Sequence, residues 1–139
     1  MIAYFDTSML VKLLVDDEAY RADAERIWLE ADHLVCAEVG YVEARAALAA
    51  ARRGGRLDDA DMRVAKEQFE ALWEQVNVVA VDTVLVRAAG DIAELDGLRG
   101  YEAVHLAAAV AVRATVVASA DRQLIGAARN RGFGVAQPR

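Results

Sequence analysis

Ile2–Phe5 is an apolar run that ends on a carboxylate and two hydroxyls, Asp6, Thr7 and Ser8. A second apolar run, Thr115–Ala118, ends in the same way on Ser119 and Asp121. Two further acids stand among apolar residues. Glu43 lies in "YVEARAALAAA", where its i−4, i+3 and i+4 neighbours are Val39, Ala46 and Ala47, so it falls on an apolar helix face. Glu102 opens "YEAVHLAAAVAV", a helix that is otherwise apolar nearly all round. Each acid alone has an ordinary explanation. Asp6 and Asp121 suit helix N-caps, Glu102 suits the positive end of a helix dipole, and Glu43 suits a half-exposed rim. Taken together they are four carboxylates with two hydroxyls, Ser8 and Ser119. Converging carboxylates raise one another's pKa, and a hard divalent cation removes that conflict. Ligands that are all oxygen favour Mg²⁺ or Mn²⁺ over zinc, which prefers His and Cys. That donor set belongs to metal-dependent phosphoryl chemistry, in which a cation polarises phosphate and activates water.

For these residues to act together, particular elements must bring them to one place. The pattern alternates between short β-branched or apolar runs and helical periods. Strands are expected at Ile2–Phe5, Leu34–Cys36, Val76–Val81, Thr115–Ala118 and Phe133–Ala136. Helices are expected at Ser8–Val15, with Ser8 as cap, and at Asp17–Ala31, with Ala24, Ile27, Trp28 and Ala31 on one face. Further helices are expected at Glu38–Arg53, Asp58–Gln75, Asp82–Asp96, Tyr101–Arg113 and Asp121–Asn130. In Asp58–Gln75 the residues spaced for burial are Val64, Phe69, Leu72 and Trp73. Strands alternating with helices predict an α/β fold, a parallel sheet covered on both faces. In such sheets ligands sit beyond the carboxyl ends of the strands, where strand order reverses. Asp6 and Asp121 would meet there if the first and fourth strands are neighbours. The chain shows no repeat and no linker, and its only proline is Pro138, so residues 1–139 read as one domain.

Composition narrows the class. Apolar residues make up 56% of the 139, and no apolar run approaches the ~20 residues that a membrane helix needs. A single cysteine, Cys36, excludes an internal disulfide and suits a reducing compartment. No secretory signal pattern precedes the first strand, and a cytoplasmic protein is expected. The net charge of −6 counts against a non-specific nucleic-acid binder, which carries a basic surplus for phosphate contacts. Basic residues gather only locally, in "ARRGGR" and "ARNRG", where they also suit helix C-termini. Glu102 and His105 match a Glu-x-x-His pair, but a di-iron bundle needs a second such motif and the chain has two histidines. His105 therefore reads as a buried, hydrogen-bonded residue. An aspartyl-phosphate enzyme built on Asp6 would want a lysine at a later strand end, whereas Lys12 and Lys66 fall inside helices. No G-x-x-x-x-G-K loop is present.

The set "YFDTS", "YVEARAAL", "RGYEAVHLAAA" and "ASADRQL", in that order and spacing, resembles the PIN-domain ribonucleases, most closely the VapC-like toxins of toxin–antitoxin pairs. The resemblance spans essentially the whole chain. It implies a three-layer α/β/α fold around a parallel sheet of about five strands. It also implies Mg²⁺- or Mn²⁺-dependent RNA endonuclease cleavage leaving 5′-phosphate and 3′-hydroxyl ends, a homodimer, and neutralisation by a VapB-like antitoxin. The metal and catalytic residues it implies are Asp6, Glu43, Glu102 and Asp121, with Ser8 and Ser119 as supporting hydroxyls. One position departs, since the family usually has Asp where this chain has Glu102. Arg45, Arg99 and Arg122 are candidates for steering the RNA backbone. The alternative reading is a PIN-fold module that holds RNA or antitoxin without cutting.

Overall fold

The computed structural model describes residues 1–15 and 18–137, with the backbone alone over 18–20. Five strands and seven helices follow one another in the order β1 (Ile2–Phe5), α1 (Thr7–Val15), α2 (Glu18–Glu30), β2 (His33–Ala37), α3 (Val39–Arg53), α4 (Asp59–Glu74), β3 (Asn77–Val79), α5 (Thr83–Asp96), α6 (Gly100–Ala111), β4 (Val116–Ala118), α7 (Arg122–Asn130) and β5 (Gly134–Ala136). Asp17, expected to open the second helix, and Pro138 lie outside the described residues.

The strands form one sheet in the order β3-β2-β1-β4-β5, and every neighbouring pair is parallel. Parallel strands need long crossovers, and helices supply them. Alternation along the central strands sorts the side chains. Tyr4, Val35, Ala37 and Val117 pack into a core with Leu85, Ile92 and Leu106 of α5 and α6 and Leu124 of α7. Ala3, Phe5, Leu34, Cys36 and Ala118 face the other way, against Met9 and Leu10 of α1, Ile27 of α2, Leu48 of α3 and Phe69 of α4. Helices α1–α4 thus form one outer layer and α5–α7 the other. This is the three-layer α/β/α arrangement with five parallel strands. β1 lies at the centre because it is buried on both faces, and the chain turns back across it between β3 and β4. The strand order therefore reverses between β1 and β4, and the carboxyl ends of both strands open there.

Several details differ from the sequence expectation. The first helix begins at Thr7, so its cap is Asp6 and Ser8 lies inside it. Asp6 Oδ1 accepts the Met9 N–H at 3.1 Å, so of the two caps considered above, Asp6 and Ser8, Asp6 is the one used. The third strand is only Asn77–Val79 and is an edge strand, half of whose bonding capacity meets no neighbour. In α4, Val64 is 53% exposed; Ala65 and Phe69 carry the buried stripe in its place. Leu72 and Trp73 are half-buried against the same core. The start of α3 approaches β2 closely, because a Cβ on Gly40 would stand 2.5 Å from Cys36 Sγ. That close approach sets the height at which Glu43 emerges, one turn further on.

Candidate active site

β1 and β4 are paired with Phe5 opposite Ala118, so the residues that follow each strand leave the sheet side by side. A pocket of about 490 Å³ opens there, and Asp6, Glu43, Glu102 and Asp121 all line it. A liquid water takes about 30 Å³, so the pocket has far more room than one cation needs. Ser8 lines it, as do Thr7, Lys12 and His105.

Asp6 is 5% exposed and buried side-on in this wall. Its Oδ1 accepts Ser8 Oγ at 2.6 Å and the Met9 N–H, while Oδ2 accepts Ser119 Oγ at 2.5 Å. Burial raises its pKa, and the nearby His105, the two serines and the Met9 N–H oppose that rise. Each serine accepts as well as donates. Ser8 Oγ accepts the Ala120 N–H at 2.9 Å and Ser119 Oγ accepts the Asp121 N–H at 2.9 Å. Both hydroxyls thus stitch the loop after β4 to the start of α1 through the Asp6 carboxylate. A carboxylate has about four acceptor positions, and the three donors on Asp6 leave one of them, on Oδ2.

Asp121 caps α7, with Oδ1 accepting the N–H groups of Gln123 and Leu124 at 2.8 and 3.1 Å. Its other oxygen is left for the pocket. Glu102 stands in the first turn of α6 with its side chain 14% exposed, and Oε2 is buried with no hydrogen-bond partner among the described residues. Burial raises the Glu102 pKa, and the Asp121 carboxylate beside it raises it further. Arg99 Nε, 4.0 Å from Oε1, belongs to a side chain that is 88% exposed and offsets little.

Glu43 is placed differently from its sequence expectation. The buried face of α3 is Gly40, Ala44, Leu48 and Ala51, and Glu43 lies beside it, facing the pocket with a quarter of its side chain exposed. Ala46, assigned above to the same face, is exposed. Glu43 Oε1 accepts Thr7 Oγ1 at 2.8 Å and meets His105 Nε2 at 2.7 Å. Burial works against the charged form, but the His105 and Thr7 hydrogen bonds outweigh it and hold this carboxyl below the usual range. His105 is buried and hydrogen-bonded, as expected, with Tyr4 Oη 2.6 Å from Nδ1.

The three arginines are dispersed. Arg45 does not line the pocket; its Nη1 donates to Tyr41 Oη at 2.7 Å and to Glu70 Oε1 at 3.3 Å. Arg99 lies at the rim of a neighbouring apolar groove between α5 and α6, and Arg122 faces a shallow surface near Asp96 and Asn130. Sequence reasoning missed Thr7 and Lys12. Thr7 was visible as a hydroxyl beside Asp6, and Lys12 stands five residues later on the helix that Asp6 starts.

The donor set can be tested against a cation. Among the described residues, no group of three or more His, Cys, Asp or Glu is arranged to hold a metal ion as it stands. Mg²⁺ does not need such a cage, since it is commonly bound through one or two carboxylates with waters and phosphate completing the shell. The unpartnered Glu102 Oε2, pressed toward the like-charged Asp121, is the feature a cation would resolve. The residues fit a hydrated hard cation and do not fit a dehydrated protein cage.

The PIN domain family pattern matches residues 3–130. The chain is similar to Ribonuclease VapC45 of Mycobacterium tuberculosis (strain CDC 1551 / Oshkosh), 37% identical over 137 residues that cover 97% of this chain and 94% of the relative. Among solved structures, it superposes on VapC20 of Mycobacterium tuberculosis, described as a Sarcin-Ricin loop cleaving toxin, with a TM-score of 0.70 and 18% identity over 98% of this chain and 99% of that one. A toxin-antitoxin complex from Klebsiella pneumoniae contains a chain with the same fold, at a TM-score of 0.68 and 14% identity over 99% and 98% of the two chains. On a family match covering most of its length and identity above a third to a VapC ribonuclease, the chain belongs to the PIN-domain family, with the VapC ribonucleases as its relatives.

Proposed function

We propose that this protein is a Mg²⁺- or Mn²⁺-dependent RNA endonuclease, a toxin that works as a homodimer and is neutralised by a VapB-like antitoxin. The observation that carries the reading is the convergence of Asp6, Glu43, Glu102 and Asp121 on one pocket, with Glu102 Oε2 buried and unpartnered. The relatives' ribonuclease name and the toxin–antitoxin neighbours support the choice of RNA and of an antitoxin partner.

A bound Mg²⁺ or Mn²⁺ would supply the charge that polarises a phosphate oxygen and acidifies a bound water. The chain's own residues do the rest. Asp6 and Asp121 each commit Oδ1 to capping a helix, and Asp6 Oδ2 also accepts Ser119, so their positions are set by backbone as well as by side chain. Ser8 and Ser119 hold Asp6 in one rotamer. Glu102 and Glu43 complete the acidic wall from α6 and α3, directly or through water. Lys12 brings a cation to the same wall, where a phosphodiester would lie. A bare acidic pocket would repel RNA, and cation binding reverses that sign, which is how a chain of net charge −6 engages a polyanion.

The test is cleavage of a mixed RNA pool by wild type and Asp6→Asn, with Mn²⁺ supplied or chelated. Wild type should cut only with the cation, and Asp6→Asn should not cut while melting close to wild type. Binding of RNA without cleavage under any metal condition would favour the non-cutting module, and full activity of Asp6→Asn would place the site elsewhere.

A further inference from the structure

Glu43 projects from one outer layer and is held there by Thr7 of α1, but its second donor comes through the sheet from the opposite layer. Tyr4, on the central strand, is completely buried. Its Oη accepts the Ala37 N–H of β2 at 2.9 Å and lies 2.6 Å from His105 Nδ1. His105 Nε2, on the far side of the ring, is 2.7 Å from Glu43 Oε1. The run Ala37–Tyr4–His105–Glu43 therefore crosses from β2 through β1 and α6 to α3.

Counting protons along this run fixes its polarity. A phenol has one proton to give, and Tyr4 Oη is already an acceptor for Ala37. That proton can go to Nδ1, a strong acceptor, or toward the neighbouring Cys36 sulfur, a weak one. Burial pushes the Tyr4 phenol well above its ordinary range, so it keeps the proton. With Nδ1 accepting, the ring's own proton sits on Nε2 and points at Glu43. A glutamate has three rotatable bonds, and two donors on one oxygen remove most of that freedom.

We propose that Tyr4 and His105 are positioning residues: Tyr4 donates to His105 Nδ1 and so leaves the ring proton on Nε2, and the ring pins Glu43 Oε1 so that Oε2 is the oxygen presented to the pocket. The use made of Oε2 rests on the ribonuclease reading above; the tautomer does not. Positioning partners of this kind typically change metal affinity or activity by about 10–100-fold when removed.

Two measurements on the metal-free full chain test the two halves. Long-range ¹H–¹⁵N spectra of ¹⁵N-histidine protein at neutral pH should show His105 with a protonated Nε2 and a bare Nδ1, the exposed His33 serving as reference. Tyr4→Phe should lose that single-tautomer signature. Both ring nitrogens protonated, a proton on Nδ1, or an unchanged spectrum in Tyr4→Phe would each overturn the first half. Calorimetric Mn²⁺ titration then compares His105→Gln, whose amide nitrogen can replace Nε2, with His105→Asn, whose amide stops short at the Nδ1 position. The Gln variant should hold wild-type affinity to within a few-fold and the Asn variant should lose about 10–100-fold, with circular dichroism showing both folded. Equal affinities in the two would overturn the second half. Absence of any Mn²⁺ binding in wild type would sink the metal reading and the second half with it, while the spectra still decide the first.

Discussion

Removing one oxygen atom, Ser119 Oγ, should cost stability in two separable parts. Ser119 is completely buried, donates to Asp6 Oδ2 at 2.5 Å and accepts the Asp121 N–H at 2.9 Å. Ser119→Ala therefore strands a carboxylate oxygen and a backbone N–H together. A hydrogen bond to a charged group contributes about 1.5–3 kcal/mol, and a buried donor left unsatisfied costs about 1–3 kcal/mol. The first part exists only while Asp6 is ionised; the second exists at every pH. Burial raises the folded-state pKa of Asp6 above its unfolded value, with His105, Ser119, Ser8 and the Met9 N–H opposing the rise. The group's stabilising contribution is thus fully present below the unfolded pKa and fades as pH rises through the folded one. Loss of the Ser119 donor moves the folded value higher still, so the variant goes on losing stability to a higher pH than wild type. The gap should be about 1–3 kcal/mol in acid, where Asp6 is protonated in both proteins, and should widen to about 3–5 kcal/mol once the pH has risen through the folded-state value of Asp6. At about 2–4 °C per kcal/mol for a chain of this size, the widened gap is roughly 10 °C and the acid gap about half that. Metal-free thermal unfolding followed by circular dichroism from acid to neutral pH measures it. A gap that does not change with pH would show that the Ser119–Asp6 bond carries no charge-dependent stability.

Three other perturbations have defined outcomes. Glu102→Gln should raise the metal-free melting temperature at neutral pH, because it removes a carboxylate whose charged form is opposed by burial and by Asp121; the advantage should vanish in acid, where wild-type Glu102 is protonated, and added Mn²⁺ should no longer lift the melting temperature. Gly40→Ala would place a methyl 2.5 Å from Cys36 Sγ and should cost about 1–3 kcal/mol by overpacking, seen as a lower urea midpoint with unchanged m-value. Asp96→Asn should break the bidentate pair with Arg131, at 2.6 and 3.3 Å between the ends of α5 and α7, for up to about 1 kcal/mol that shrinks in high salt.

The sheet and its layers were legible because strands buried on both faces read as unbroken apolar runs, as Ile2–Phe5 and Val116–Ala118 do. Helix starts were legible where an acid is the cap, as at Asp58, Asp82 and Asp121, each of which accepts an N–H from the first turn. The first helix was misread by one residue because Asp6, Thr7 and Ser8 can all cap, and only the pairing of β1 with β4 decides which one turns inward. Val76–Val81 was overextended because β-branched residues favour extended backbone whether or not a neighbour strand reaches them, and β2 pairs only with Asn77–Val79. Asp6 and Asp121 were legible from strand-end logic, and Glu43 and Glu102 as acids standing among apolar helix residues. The partner of a ring nitrogen was not: His105 meets Tyr4 and Glu43 across separations of 101 and 62 residues, which no local spacing encodes.

Asp6 and Asp121 each spend Oδ1 on starting a helix, and both line the pocket. For heritable variation this divides the damage into two kinds. Asn at either position keeps a capping oxygen and removes the charge, so the helix start survives while the pocket loses one of its four carboxylates. Ala removes the cap as well, costing about 1 kcal/mol or more for each helix start. Asp and Asn codons differ by a single base. A folded form with an altered pocket is therefore one mutational step away at two independent sites.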